Sequence, residues 1–207
     1  MNIGFMISNV FADHMVLQRN KPIRINGFAT PHTAVYAEIN GVWAGGRAGE
    51  DSKWEVVLPE LNAGGPYEII IKTSHGVTKK IRDVMIGDVW LCSGQSNMEF
   101  FVYRTNDISL GEKGKQLVEE ANDADLRFLR VEHSINPLAE CDMLPDSSVW
   151  AKTSDSERLC WMSAVGYLFG LELRKRGPSV PVGIISSSWG GSKIAPWIPE
   201  EYFRKAN

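Results

Sequence analysis

Gly87-Asp-Val-Trp-Leu-Cys-Ser-Gly-Gln-Ser-Asn-Met-Glu-Phe100 is the stretch that decides how the chain is read. Asp88 to Cys92 is apolar and rich in strand-forming side chains, which predicts a short buried strand. Ser93-Gly-Gln-Ser-Asn97 follows at once, and such small polar residues cannot continue a core strand. A serine on a tight turn at the C-terminal end of a buried strand is where an α/β enzyme presents a nucleophile. Gly94, two residues before Ser96, permits a sharp turn and a close approach of substrate to the backbone. The Gly-x-Ser-x-Gly elbow is only half met, because position 98 is methionine. By spacing alone an ordinary strand-to-loop turn fits as well.

Upstream of this stretch, residues 1–83 read as all-β. Pro22–Phe28 alternates, Ala34–Ile39 leads into the hairpin signal Asn40-Gly41, and Val42 onward returns. Trp54–Leu58, Tyr67–Thr73 and Val77–Ile81 complete a set of short strands broken by Gly, Pro and Asn, the pattern of a β-sandwich. His32 and His75 fall in turns and read as surface residues. Trp43 and Trp54 could line a sugar-binding face, but core packing is the preferred reading.

From residue 84 to 207 strands alternate with helices, the mark of a largely parallel sheet. A short helix is expected over 113–122, a second strand over 126–132 and loop over 133–150. One long helix is expected next, capped by Ser154 or Ser156, with apolar residues at Leu159, Met162, Val165, Leu168, Phe169 and Leu173. It ends in Arg174-Lys-Arg before Gly177-Pro178, a favourable charge pattern and a stop signal. Val180–Ile185 is the third strand, and it opens into Ser186-Ser-Ser-Trp-Gly-Gly-Ser192.

Composition bounds the function. The chain has 207 residues, 43% hydrophobic and 23% charged, as in an ordinary globular protein of one large or two small domains. A formal net charge of −3 gives no electrostatic reason to expect nucleic acid or an anionic membrane as partner. No stretch approaches the roughly 20 apolar residues of a membrane span. No signal peptide is visible at the start, so a cytoplasmic protein is expected, or a secreted or periplasmic one already trimmed. Cys92, Cys141 and Cys160 lack metal-type spacing, and Cys92 and Cys160 read as buried thiols. No metal or organic cofactor is implied.

Three strings carry a family resemblance. Trp90-Leu-Cys-Ser-Gly-Gln-Ser-Asn-Met-Glu99 closely resembles the nucleophile block of the sialate O-acetylesterase family, within the SGNH (GDSL-like) hydrolases. Gly183-Ile-Ile-Ser-Ser-Ser-Trp-Gly-Gly-Ser-Lys-Ile-Ala-Pro-Trp197 is similar to the family's glycine block beside the oxyanion hole, and Phe11-Ala-Asp-His-Met-Val-Leu-Gln18 to the opening of its N-terminal β domain. The resemblance implies a β-sandwich over 1–83 and, over 84–207, the first half of a flavodoxin-like parallel-sheet hydrolase domain. It also implies removal of O-acetyl groups from sugars. Ser96 matches the nucleophile, and its amide with that of Gly190 or Gly191 would form the oxyanion hole. Gln95 and Asn97 would orient the turn or contact substrate, and His14 would be structural.

The family's late Asp-x-x-His block is not found. His133 is the only histidine after Ser96, and position 130, three before it, is Arg. A loop histidine is the preferred reading for it. With only three parallel strands expected where about five are usual, the resemblance implies a truncated catalytic domain whose missing part lies in a longer gene product, in a second polypeptide or is lost, with self-association or a complementing C-terminal chain as partner. The alternatives are a non-catalytic carbohydrate-binding or assembly module, an acetylxylan-type esterase and, less favoured, a protease.

Overall fold

The computed structural model describes residues 4–106, 111–134, 149–198 and 201–202. Its longest element is β8 (Thr78–Gly94), a 17-residue strand that runs without a break past position 84. Everything else is arranged along it.

Among the described residues the first part of the chain supplies strands: β1 (Met6–Ile7), β2 (Val16–Gln18), β3 (Ile23–Phe28), β4 (Ala34–Ile39), β5 (Val42–Arg47), β6 (Lys53–Leu58) and β7 (Gly64–Thr73). β1, β3 and β6 make a three-stranded antiparallel sheet. β5, β4 and β7 pair antiparallel in that order and β7 joins the first half of β8. The Asn40-Gly41 turn, with both φ angles positive, closes the β4–β5 hairpin as its sequence predicts. Alternate residues of these strands meet in one core, where Ile25, Ile39, Val56, Leu58, Ile69 and Ile71 are fully buried. Each such side chain stabilises the fold by about 1.5–3 kcal/mol.

The second half of β8 enters a parallel arrangement with β9 (Leu126–Arg130) and β11 (Val182–Ser188), and β10 (Trp150–Lys152) adds an antiparallel edge to β9. β10 is an element the sequence reading leaves in loop; most of that loop, 135–148, and Cys141 with it, lies outside the described residues. The strand order is β10-β9-β11-β8, so the third parallel strand lies between the second and the first. A flavodoxin-like sheet places its first strand between the second and third. Here β11, whose Val182, Gly183 and Ile184 are buried, takes the middle. The eight-stranded sheet as a whole is mixed.

The expected single helix is two: α3 (Ser156–Cys160) and α4 (Ala164–Arg176). Between them the chain pairs with residues 100–102 through Val102 N–H to Met162 O and Ala164 N–H to Phe100 O, which pulls the backbone out of helix. Asp155 caps α3 and Ser163 caps α4, so neither Ser154 nor Ser156 is the cap. α4 buries Ala164, Gly166, Tyr167 and Gly170, leaving Val165, Leu168 and Phe169 exposed. Gly170 permits the close approach: a methyl group there would lie 2.7 Å from Leu126 Cδ1 on the sheet. Upstream, α1 (Ser96–Glu99) follows β8, and α2 (Gly111–Glu119) occupies roughly the expected place.

Three side-chain expectations change. Trp54 is core, but Trp43 is 71% exposed, because it lies on the outer face of β5. Cys92 is buried, and burial raises its thiol pKa; Cys160 is only half-buried, at the end of the short α3. His32 and His75 are exposed, and His14 is structural: its Nδ1 lies 2.6 Å from Asp83 Oδ2.

Asp83, at a positive-φ position in β8, is the centre of a charged junction. Lys152 Nζ lies 2.6 Å from Oδ2 and Arg127 Nη2 donates to Oδ1 at 2.8 Å. The Arg127 side chain is only 3% exposed, and Nη1 also donates to the backbone oxygens of His14 and Asp83. Burial raises the Asp83 pKa, but the hydrogen bonds from Lys152, His14 and Arg127 together outweigh it and hold the carboxyl far below its ordinary range.

Candidate active site

β8 ends at Gly94, paired with Ser188 at the end of β11, so both following loops leave the same end of the parallel sheet. Trp189 N–H donates to Gly94 O at 2.9 Å and carries the pairing one step further. Gly94 has a φ of 148°, a conformation that side-chain-bearing residues rarely adopt, and it turns the chain sharply into α1. Ser96 is the first residue of that helix and is exposed. Its amide and its hydroxyl both point at Gln95 Oε1, at 3.3 and 3.2 Å, so Gln95 caps the helix. Asn97 beside it is exposed.

The glycine loop meets this turn. A methyl group on Gly190 would lie 3.6 Å from Ser96 Cα and 2.6 Å from Glu99 Oε2. The Gly190 amide donates to that same carboxylate oxygen, so this N–H is committed to Glu99. Gly191 has a φ of 78° and open space around it, and Ser192 N–H closes the turn onto Trp189 O at 3.2 Å. Trp197 Nε1 donates to Ser192 Oγ at 2.8 Å, bracing the loop from behind. An open depression of about 400 Å³ lies alongside, walled by Ser93, Gly94, Gln95, Ser192, Lys193, Ile194 and Trp197.

Glu99 and His133 are the residues that sequence reasoning did not join. Glu99 Oε1 lies 2.9 Å from His133 Nε2, and the same nitrogen lies 2.8 Å from Ser188 O. Both partners are acceptors, so Nε2 carries a proton and donates. The imidazole also stacks on the Trp189 indole, with centroids 4.2 Å apart and planes within 1°. A general base for Ser96 needs an acceptor nitrogen facing the serine oxygen. Nε2 faces elsewhere. Among the described residues no three His, Cys, Asp or Glu side chains gather as a metal-ligand set, and no helix is long and apolar enough to cross a membrane.

No family model matches the chain. Sialate O-acetylesterase from Mus musculus is 31% identical over 214 residues, which cover 94% of this chain and 38% of that protein. The Homo sapiens sialate O-acetylesterase is 30% identical over 217 residues, covering 94% and 39%. Among solved structures, a carbohydrate acetylesterase from Xanthomonas citri superposes with a TM-score of 0.85 at 34% identity, over 96% of this chain and 43% of that one. Sequence and backbone agree: the chain is a homologue of the sialate O-acetylesterases, matched along nearly its whole length while spanning 38 to 39% of the length of these two relatives.

Proposed function

We propose that the chain carries the nucleophile end of a carboxylic-ester hydrolase that removes O-acetyl groups from sugars. The observation that supports this most is the meeting of the Ser96 turn with the Gly190 loop at one end of a parallel sheet, in a homologue of sugar esterases. Ser96 Oγ attacks the acetyl carbonyl, the sugar oxygen leaves with a proton, and water hydrolyses the acetyl-enzyme. The developing oxyanion is held by backbone N–H groups, that of Ser96 and one from the glycine pair. Glu99 engages the Gly190 amide, which favours Gly191 as the second donor. Losing one such donor costs about 3–4 kcal/mol of transition-state stabilisation. Gln95 orients the serine through its cap, and Asn97 stands free to meet substrate.

The base is the missing part. The chain has four histidines, His14, His32, His75 and His133, and the first three belong to the N-terminal strands and the loops that join them. In this reading the base comes from sequence that corresponds to the rest of the relatives' length, on the same polypeptide or on a complementing one. Residues 88–94 of β8 pair with β11 alone among the described residues. Leu91 on that strand is 67% exposed, and Trp90 packs edge-on against the half-exposed Phe169 of α4. An open strand edge flanked by apolar side chains is a place where further chain adds. Residues 1–83 would then be a β-sandwich unit and 84–207 the first half of the hydrolase domain.

The test is p-nitrophenyl acetate and acetylated-sugar hydrolysis by this chain alone, by the chain joined to the remaining segment of a relative, and by Ser96→Ala in both. Activity in the joined protein that vanishes with Ser96→Ala is the expected result. Activity unaffected by Ser96→Ala would sink the serine mechanism.

One observation favours a second reading, a carbohydrate-binding module. Trp43 and Tyr36 are both exposed on the same face of the β4–β5 hairpin, with Glu38 directly opposite Trp43. Glycan binding lost in Trp43→Ala but kept in Ser96→Ala, with no hydrolysis by the joined protein, would make that the better description.

A further inference from the structure

α1 is a four-residue helix with no fully buried side chain; Met98 packs against the core that holds Met162 and Tyr167 and lies 3.5 Å from Ser163 Oγ, but one turn is too short to hold a fixed direction by helical hydrogen bonding alone. Something else must fix the serine that it carries. Gln95 caps its first residue, and at its other end Glu99 is largely buried, with 19% of its side chain exposed. One carboxylate oxygen accepts the Gly190 amide and the other faces His133 Nε2. His133 is itself held twice, by the Ser188 carbonyl and by the Trp189 ring. The cluster thus ties three separate loops, those after β8, β9 and β11, at the point where their strands end.

We infer that Glu99 is a positioning residue, a tie that His133 orients and that fixes the Trp189–Gly190 turn against the helix bearing Ser96. The catalytic consequence rests on the ester-hydrolase reading; the tie itself does not. Hydrogen bonds from an amide and an imidazole to a carboxylate are among the stronger kinds. Lost, they would leave the serine end of the turn held to the glycine loop only through Met98 packing and the Trp189–Gly94 backbone bond, and so free to shift. A misplacement of about 1 Å at a reacting centre can cost roughly 100-fold in rate.

Two measurements test this, amide shifts on the chain as it stands and labelling on the protein joined to the remaining segment of a relative, which supplies the base. In a ¹H–¹⁵N spectrum the Gly190 amide proton should resonate downfield in the wild type. In Glu99→Ala it should move upfield, the Ser96 amide should shift with it, and amides of the N-terminal strands should stay in place. His133→Phe, which retains a flat ring against Trp189, should produce a smaller shift of the same two amides. In the joined protein the rate of Ser96 phosphonylation by a fluorophosphonate should fall roughly 10- to 100-fold in Glu99→Ala. Glu99→Gln, which keeps an acceptor oxygen for Gly190, should recover part of that rate. A Gly190 or Ser96 amide unmoved in Glu99→Ala overturns the tie. Both amides moving with labelling unchanged overturns the positioning role. If wild type and Ser96→Ala label alike, the hydrolase reading is what fails, and the two amide shifts still decide the tie.

Discussion

The two ends of the parallel half of β8 are built to opposite specifications. At its base, Asp83 is ringed by Lys152, Arg127 and His14, and the guanidinium of Arg127 is sealed from solvent. At its tip, Gln95, Ser96 and Asn97 are exposed, and the turn meets the neighbouring loop through one backbone bond, Trp189 N–H to Gly94 O, and the Glu99 carboxylate. The base joins the N-terminal strands to β9 and β10 and carries stability. The tip is held by few contacts, which leaves its polar atoms open to a reaction partner. Such a division is what a scaffold with chemistry on its loops requires.

The largest expected effect breaks the base. Asp83→Asn keeps a residue that tolerates positive φ but removes the charge, leaving Arg127 buried without its counter-ion. The loss should be about 3 kcal/mol in urea unfolding, because an uncompensated buried charge is costly. Glu99→Gln at the tip should change stability by less than about 1 kcal/mol in the same assay. Equal losses at both sites would erase the contrast.

Acid sharpens the same comparison. The folded-state pKa of Asp83 is depressed by its cationic neighbours, so the junction stabilises fully above the unfolded carboxyl value of about 3.9. That contribution fades as pH falls from there through the folded value. The stability gap between wild type and Asp83→Asn should therefore narrow below about pH 4. A gap that does not narrow would mean that Asp83 acts through shape rather than charge.

The difference between the two ends also explains what the sequence could and could not convey. The β4–β5 hairpin was legible because Asn40-Gly41 dictates its own turn, and the turn at Ser96 was legible because small polar residues follow an apolar strand, although that strand is not the buried one expected, with Trp90 and Leu91 exposed. The continuity of β8 was not. Arg82-Asp83 reads locally as the end of an element, and the groups that stabilise it, His14, Arg127 and Lys152, are remote in sequence. α3 and α4 read as one helix because their apolar residues keep one period; only pairing with residues 100–102 separates them. The same period pointed to Val165, Leu168 and Phe169 as core, whereas close approach at Gly166 and Gly170 turned the helix onto its small-residue face. Glu99 and His133 lie in quoted or noted segments, but nothing local says that they meet.

A middle-sized effect should follow at that helix. Gly170→Ala places a methyl group 2.7 Å from Leu126 Cδ1 in the packed layer that supports both strand ends. Overpacking of this kind costs about 1–3 kcal/mol. Thermal unfolding of the variant, with its circular dichroism otherwise unchanged, is the measurement.

The smallest effects belong to the two neighbouring glycines of the tip, and they should differ in kind. Gly191 has free space but a φ of 78°, so Gly191→Ala meets no neighbour and pays only for the left-handed backbone, about 1–2 kcal/mol. Gly190→Ala meets Glu99 Oε2 at 2.6 Å, the far end of a flexible side chain, which can retreat. Its stability should barely change, yet the retreat would break the carboxylate's bond to the Gly190 amide. The discriminating measurement pairs chemical denaturation of the chain with fluorophosphonate labelling of Ser96 in the joined protein. Gly191→Ala should lower stability more than Gly190→Ala, while Gly190→Ala should slow labelling to the extent that Glu99→Ala does. If Gly190→Ala labels at the wild-type rate, the tip is positioned by Gln95 and the loop backbone alone, and Glu99 is an incidental neighbour.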